Sequence, residues 1–353
     1  MTRADATAPA TSGTRVMVLD LLRLAATFQM VQGHAIDAVL STEFRTGAIH
    51  GAWLWLRGLT SVAFLFVAGL SFHLATLRDL PRHRRNRAAV ARRFRRAGML
   101  IALGYALHFP AAIFAGDALA AGAALQVAAI VDVLQCIGVT LLLLEGLALI
   151  LPTARSIEIA CCMLGAAVLA LAPVLSELDP RGPLLPLANY LTARGGSLFP
   201  LLPWAAHVLL GVGLSGLLIG SRERGRGLRM AIAALVLIGG AVALDGAGAR
   251  LCADHLSRLG WVLAGASLLS TLEPRARAWP TWTRRLAGET LFIYAFHVLL
   301  VYGYGVGLAS LVGERLAPLQ AASIALVVLA VSVACALGYE RAWAGLARRT
   351  ATG

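Results

Sequence analysis

The sequence predicts an all-α fold, a polytopic membrane protein with about ten transmembrane helices and both termini in the cytoplasm. Hydrophobic residues make up 59% of the chain and charged residues only 14%, and the mean hydropathy is +0.76. These proportions lie outside the range of ordinary soluble domains. Apolar runs of roughly 20 residues, the length that crosses a bilayer, recur along the whole chain. A soluble domain is therefore not expected.

The apolar runs define ten helices, with nine or eleven as the alternative count. Residues 1–14 are small and polar, and we expect a disordered tail there. The membrane domain is predicted to span 15–341, and 342–353 would form a cytoplasmic tail. The ten predicted helices are 16–40, 52–77, 97–115, 127–151, 157–175, 198–220, 230–248, 259–272, 288–309 and 318–340.

Arginine placement predicts the orientation of these helices. All 31 basic residues are arginine; with a cytoplasmic N-terminus, 23 lie in inner segments and six in outer loops, as the positive-inside rule requires. The densest run is 78–96. Its first interpretation is topology, and the second is a share in anchoring an anionic cofactor or lipid headgroup. Nucleic-acid binding is not expected, because the run is not part of a folded basic module with interleaved aromatic residues.

Helix 1 carries ionisable side chains on one face. Asp20, Arg23, His34 and Asp37 fall within an arc of about 100°, so they are expected to face other helices or a water-filled cavity. Asp20 and Arg23 can pair near the inner surface, either to set the depth of the helix or to bind substrate. Near the outer surface, Asp37 would orient His34 as a general base. A structural His–Asp pair at the helix end is the alternative.

A second candidate base precedes helix 2. His50 lies close in the chain to His34 and beside Trp53, which predicts a shared catalytic site with Trp53 as a binding residue. The alternatives are an ordinary solvated loop histidine and an aromatic belt at the membrane surface.

Five positions on later helices are further candidates for substrate or cofactor binding. Asp132 and Gln135, three residues apart in helix 4, are expected to face the same interior, with inter-helix packing as an equal alternative. Trp204 marks an interface at the start of helix 6, and we expect it to line the cavity with Gln135. Tyr294 and His297 lie in helix 9, where His297 is either a packing residue or part of the site.

The other titratable side chains have no predicted catalytic role. His108 is interpreted as a packing residue, and His73 and His83 lie at the inner ends of helices without an expected function. The cysteines fit no metal-ligand spacing, so no metal site is expected; they are Cys136, Cys161, Cys162, Cys252 and Cys335.

Five segments together resemble the heparan-α-glucosaminide N-acetyltransferase family, within a wider group of membrane acyltransferases that includes the acyltransferase-3 family. In this resemblance the family's active-site histidine, in a His-x-x-Trp context, falls on His50 with Trp53. The helix-1 histidine of the wider group falls on His34, and the family's Leu-Gln motif on Leu134 and Gln135. The segments follow the family's order: "RVMVLDLLRLAATFQMVQGHAID", "HGAWLWLRGLTSVAFLFVAGLSF", "VDVLQCIGV", "FPLLPWAAHVLLGVGLSG" and "GETLFIYAFHVLL".

The resemblance implies acyl transfer across a membrane. A cytoplasmic acyl-CoA, acetyl-CoA above all, would supply the acyl group to a hydroxyl or amine of a sugar-like acceptor at the outer face. We further expect a multi-pass protein of the bacterial inner membrane that contacts membrane lipid, with a homo-oligomer as a possible assembly. The chain departs from the family at Leu24, where glycine is usual, and at Cys136, where arginine is frequent.

Some functional alternatives stay open in the sequence. Direct transfer and a two-step route through an acyl-histidine both fit the residues. A proton-coupled transporter or exporter of a polar metabolite would use the same polar face of helix 1 as a proton relay. A binding or scaffold protein without turnover is the third class.

Overall fold

The computed structural model describes residues 16–109, 127–177, 184–220, 225–303 and 306–352, and all its regular elements are helical. Shorter helical turns connect the long helices, and an isolated bridge joins Leu40 to Leu316. The ten long helices are α1 (Met17–Val39), α2 (Gly47–Ala75), α3 (Arg87–Leu107), α4 (Val133–Ile150), α5 (Ala154–Leu175), α6 (Leu201–Gly213), α7 (Arg226–Gly246), α8 (Arg250–Ser270), α9 (Thr290–Tyr302) and α10 (Pro318–Thr352).

Each predicted helix corresponds to one of these ten, but several helices begin earlier than hydropathy indicates. α3 begins at Arg87 rather than at 97, and α8 begins at Arg250 rather than at 259. Their first turns are rich in arginine, alanine and leucine, which favour helix but interrupt an apolar run. In α8, Arg258 Nε lies 2.8 Å from Asp254 Oδ2 in an i, i+4 ion pair that supports this polar first half.

The structure tests the predicted C-terminal tail but not the predicted N-terminal tail. α10 continues to Thr352, so the predicted tail at 342–353 is helical almost to its end. Alanine, leucine and arginine dominate this extension, which explains why the helix does not stop where hydropathy falls. The predicted tail at 1–14 and the predicted end of helix 3 at 110–115 lie outside the described residues.

Helix 4 begins later than predicted because Asp132 is its N-cap residue. The side chain of Gln135 accepts a hydrogen bond from the backbone N–H of Asp132, with 3.1 Å between Oε1 and N. This is one half of a capping box, a contact that satisfies a backbone donor at a helix start. The i, i+3 spacing of these two residues therefore reflects helix capping rather than a common interior face.

Five helical segments of the described chain are long and apolar enough to cross a bilayer. α6 and α9 are apolar but shorter, with 13 residues each. Large apolar side chains such as Met163, Leu235 and Leu326 lie exposed on the outside of the bundle, where lipid would cover them. The protein is thus a multi-pass, all-helical membrane protein. The five segments are Gly47–Arg85, Val133–Ile150, Ala154–Leu175, Arg226–Gly246 and Pro318–Tyr339.

Glycines allow α2 and α6 to approach closely in the middle of the bundle. A Cβ at Gly69 would collide with the backbone oxygen of Val208, and a Cβ at Gly211 would collide with that of Phe66. Small residues at such a crossing increase van der Waals contact between the two helices. This contact matters in a bilayer because burying apolar side chains away from lipid adds little stabilisation. This contact fixes α2, which borders the cavity described below.

Helix α1 occupies a central position between α2, α8, α9 and α10. Its C-terminal end is attached to the chain before α10: the N–H of Leu316 donates to Val39 O over 2.8 Å, and the N–H of Ser41 donates to Leu316 O over 3.0 Å. The polar face of α1 is consequently held against α2 and α9.

Candidate active site

A cavity of about 1220 Å³ lies between α1, α2, α3, α4 and α9. Along α2 its lining runs from Arg57 to Ala75, a distance of about 27 Å at 1.5 Å per residue. That length is close to the thickness of a bilayer's hydrocarbon core. Apolar side chains form the middle of the cavity, among them Phe64, Leu100, Ile137 and Leu141. The polar lining is concentrated at the two ends.

One end of the cavity, named the arginine end, is lined by Arg23, Ser71, Arg93, Arg96 and Glu145. Arg23 Nη1 lies 3.1 Å from Asp20 Oδ1, which confirms the predicted pair, and Arg23 Nη2 donates to Ser71 Oγ. Arg93 donates through Nη2 to the backbone oxygen of Ala75 over 3.0 Å. These contacts orient guanidinium groups at the cavity, where they suit a phosphorylated ligand.

The opposite end, named the histidine end, is lined by His34, Arg57, His108, Asp132, Tyr294 and Tyr302. His34 Nδ1 lies 2.9 Å from Nε2 of His297, which is fully buried. His297 Nδ1 lies 2.7 Å from the backbone oxygen of Ile293. The two histidines are 263 positions apart in the chain, and the packing of α1 on α9 joins them.

These contacts determine the tautomers of the neutral histidine pair. A carbonyl oxygen only accepts, so His297 Nδ1 carries a proton and donates to Ile293. His297 Nε2 is then an acceptor, and His34 Nδ1–H donates to it. His34 Nε2 is left without a proton, on a ring that lines the cavity. A base with this orientation can take a proton from a bound acceptor.

Asp37 has a different partner from the one predicted. In place of the predicted His34–Asp37 pair, Asp37 forms an ion pair with Nη1 of Arg57, which comes from α2. The backbone oxygen of Asp37 also accepts from Arg45 Nη2 over 2.6 Å. The i, i+3 spacing on α1 allowed contact with His34, but the guanidinium of Arg57 from α2 pairs with the carboxylate instead. The ring nitrogen contact of His34 is made with His297 rather than with Asp37.

His50 and Trp53 lie beside the cavity wall rather than on it. Their rings stack with centroids 5.5 Å apart, and Trp53 donates through Nε1 to Gln32 Oε1 over 3.3 Å. The guanidinium of Arg57 lies 5.6 Å from the Trp53 ring centroid. The structure therefore connects this aromatic pair to the histidine end through Arg57, while neither ring is part of the cavity lining.

Asp132 and Tyr294 form a second polar contact at the histidine end. Tyr294 donates its hydroxyl proton to Asp132 Oδ2, and His108 Nε2 lies 3.9 Å from the same oxygen. All three residues line the cavity. Tyr294 is three residues before His297 on α9, so this helix supplies one partner to Asp132 and another to His34. The interpretation of His108 as a packing residue missed this location.

Two predicted cavity residues have packing roles instead. Gln135 is fully buried in the cap of α4, where its Nε2 also donates to Ile130 O over 3.3 Å. Trp204 packs against Phe199 and the ring of His255, with centroids 4.7 and 5.0 Å apart. Neither side chain contributes to the cavity lining. Hydropathy and spacing cannot distinguish a polar residue that satisfies a helix end from one that faces a ligand.

Sequence analysis also missed two polar clusters at the end of the bundle where α2 and α4 finish. His83 Nε2 lies 2.6 Å from Glu145 Oε1, and both side chains are buried. His73 Nδ1 lies 2.6 Å from Ser215 Oγ and 3.4 Å from Glu158 Oε1. Because serine and glutamate approach the same ring nitrogen, this cluster lacks the geometry of a nucleophilic triad. Their partners are more than 60 positions apart in the chain, so spacing could not reveal them.

Within the described ranges, no group of three or more His, Cys, Asp or Glu side chains is arranged to hold a metal ion. The expectation of a metal-free reaction stays a prediction.

Comparison with known proteins identifies a protein family that matches this chain. The family model described as "Heparan-alpha-glucosaminide N-acetyltransferase, catalytic" matches residues 15–244, which is more than half of the chain. No curated protein matches the sequence. The matched range includes the cavity walls from α1 to α4, whereas α9 with Tyr294 and His297 lies beyond it. The predicted relation to the acyltransferase-3 family stays a prediction.

Proposed function

The chain belongs to the heparan-α-glucosaminide N-acetyltransferase catalytic family, and we propose from this premise that it transfers an acetyl group from acetyl-CoA to a sugar-like acceptor across a membrane. The observation that carries the proposal is the membrane-length cavity with guanidinium groups at one end and a histidine base at the other. A donor and an acceptor can occupy its two ends at the same time.

The donor would bind at the arginine end. CoA carries phosphates, which arginine side chains bind through charge-assisted hydrogen bonds, and Arg23, Arg93 and Arg96 line this end. The arginine-rich segments support a cytoplasmic location for this end by the positive-inside rule. The arm of the donor would then extend through the apolar middle of the cavity. This orientation corresponds to about ten spans, both termini inside, in the inner membrane of a bacterium.

The acceptor would bind at the histidine end, at the outer face. Asp132, Tyr294, His108 and Tyr302 supply hydrogen-bonding groups to the cavity there, as a polyhydroxylated molecule requires. Whether the acceptor nucleophile is a hydroxyl or an amine, it must lose a proton during attack, and the cavity offers His34 for that purpose.

The reaction would be a direct transfer. His34 Nε2 takes the proton of the acceptor O–H or N–H as that atom bonds to the thioester carbonyl carbon. The tetrahedral intermediate collapses, the C–S bond breaks, and the CoA thiolate leaves with the proton returned by His34. His297 keeps His34 in the tautomer that can begin this cycle. An acyl-histidine route would instead release CoA without an acceptor.

Release of CoA from acetyl-CoA tests the proposal. Purified wild-type protein in detergent is given acetyl-CoA with amino sugars and polyols, and free thiol is followed over time. We expect acceptor-dependent release that His34→Ala reduces at least about 100-fold. His50→Ala is the matched control because His50 lies outside the cavity lining, and we expect release to stay within about threefold of wild type.

Different outcomes would contradict different parts of the proposal. Loss in His50→Ala with retention in His34→Ala, at unchanged thermal unfolding midpoints, would transfer the catalytic role to His50. Absence of release from wild type, together with no thermal stabilisation by CoA, would contradict the acyltransferase function. Proton-coupled uptake into vesicles would then be measured, as the rival transporter function requires.

A further inference from the structure

Arg57 lines the histidine end of the cavity, and neither the family match nor the proton transfer by His34 explains it. Three contacts fix its side chain. Asp37 pairs with Nη1, the Trp53 ring lies 5.6 Å from the guanidinium carbon, and the aliphatic stem crosses α1 at Gly33. A Cβ at Gly33 would lie 3.1 Å from Arg57 Cδ, so the absence of a side chain there allows this path.

The path across Gly33 brings the guanidinium next to the base. Gly33 directly precedes His34 in α1, and Arg57 and His34 line the same end of the cavity. The Arg57 side chain is 30% exposed, so it is neither fully buried nor freely solvated. Arginine stays charged throughout any pH range relevant to a protein. A permanent cation is thus held beside a histidine that must gain a proton.

The Asp37 carboxylate offsets part of the Arg57 charge, and negative charge that develops nearby during the same step would offset the rest and favour proton transfer to His34. Two cations that approach each other in a partly desolvated cavity repel, and the repulsion would oppose formation of the His34 imidazolium. An anion between them removes the repulsion and is itself stabilised by both. Acyl transfer from a thioester produces such an anion on the carbonyl oxygen.

We propose that Arg57 is a catalytic residue that stabilises the oxyanion of the acyl-transfer intermediate. As the acceptor atom bonds to the carbonyl carbon, the C=O π electrons move to oxygen, and Arg57 N–H groups donate to that oxygen. When the C–S bond breaks, the electrons return to form the new carbonyl and the thiolate leaves. Asp37 and Trp53 are positioning residues for the guanidinium. This inference rests on the proposed acyltransferase function.

The test compares Arg57 with Arg315, whose side chain is exposed at the same end of α1 and does not line the cavity. With acetyl-CoA and the best acceptor found for wild type, we expect Arg57→Gln to lower kcat at least about 100-fold, the usual effect of removing an oxyanion donor. The KM for acetyl-CoA should change less than about threefold. Arg315→Gln should keep kcat within about threefold.

Chemical rescue separates catalysis from a purely structural role. The variant Arg57→Ala leaves an open cavity wall, and we expect added methylguanidinium to raise its kcat at least about tenfold. Arg57→Lys, which keeps a charge, should be intermediate between wild type and Arg57→Gln. Thermal unfolding midpoints of all variants show whether they fold.

Each contrary result has a definite meaning. Arg57→Gln activity within threefold of wild type would overturn the role of Arg57 while leaving the acyltransferase function in place. So would a loss that methylguanidinium does not restore, or one confined to KM. An inactive wild type would contradict the proposed function itself.

Discussion

Two histidine pairs in this protein have similar geometry and different surroundings. His34 and His297 lie 2.9 Å apart between their ring nitrogens, and His207 and His255 lie 3.0 Å apart. In each pair one ring is fully buried, His297 in the first and His207 in the second. The first pair lies at the cavity through His34, whereas neither ring of the second pair contributes to the cavity lining.

The two pairs differ in the ring nitrogens that take no part in the His–His hydrogen bond. In the first pair, the Ile293 carbonyl accepts from His297, which leaves His34 with an unprotonated nitrogen on a cavity-lining ring. In the second pair, His207 Nδ1 is buried and has no hydrogen-bond partner among the described residues, and Trp204 packs against both rings. A hydrogen-bonded histidine pair becomes chemically useful when its remaining lone pair can meet a substrate. The second pair is interpreted as a packing contact between α6 and α8.

The largest expected difference between the pairs is in turnover. His34→Ala removes the proposed base, and we expect kcat to fall by about 10²- to 10⁴-fold. His255→Ala removes the equivalent ring of the second pair and should leave kcat within about twofold. Steady-state CoA release measures both. Equal losses of kcat in the two variants, at equal thermal unfolding midpoints, would contradict a functional difference between the two histidine pairs.

A smaller effect should distinguish the orienting ring from the base. His297→Ala removes the acceptor for His34 Nδ1–H, and we expect kcat to fall about 10- to 100-fold because the useful tautomer is no longer enforced. His297→Gln supplies an amide oxygen that can accept the same proton and should recover part of the activity. The pH–rate profile of His297→Ala should shift relative to wild type, since His34 has lost its partner. An unchanged profile with lower stability would indicate a packing role for His297.

The arginine end should respond in KM rather than in kcat. In Arg93→Gln combined with Arg96→Gln, we expect the KM for acetyl-CoA to rise about tenfold, because two phosphate-binding charges are lost while the base is intact. Arg87→Gln is the control, since Arg87 is exposed and does not line the cavity. A rise of the same size in Arg87→Gln would mean that general surface charge, not the cavity, attracts the donor.

The smallest catalytic effect is expected at the second histidine pair itself. His207→Ala should leave activity nearly unchanged but lower the free energy of unfolding by about 1–3 kcal/mol, because a buried ring and its hydrogen bond to His255 are lost. Denaturant titration in detergent, followed by tryptophan fluorescence, measures the change. A large loss of activity without loss of stability would assign the second pair to the reaction.

Sequence periodicity predicted most of the helices because each apolar run has to satisfy its own backbone in lipid. It failed where polar residues continue a helix, as in the first turns of α3 and α8. The polar face of α1 was also predictable, and the Asp20–Arg23 pair formed as its i, i+3 spacing allows. Spacing along one helix is sufficient to predict an ion pair when both partners lie on that helix and no side chain from another helix competes for either partner.

The same spacing rule gave the wrong result at the other end of α1. Asp37 is as far from His34 in sequence as Arg23 is from Asp20, yet it pairs with Arg57 from α2. Gln135 and Trp204 were expected at the cavity and lie in a helix cap and a packing contact instead. Which of several possible partners a side chain takes depends on the neighbouring helices, and periodicity does not specify them.

The sequence by itself determined the membrane class, most of the long helices and the side of α1 that carries His34. Only the tertiary structure decided that His297 contacts His34, that Arg57 reaches the cavity across Gly33, and that His207 pairs with His255 away from the cavity. The physical reason is that helix formation and amphipathicity follow from local spacing. A hydrogen bond between residues 263 positions apart exists only when two helices pack in one particular register.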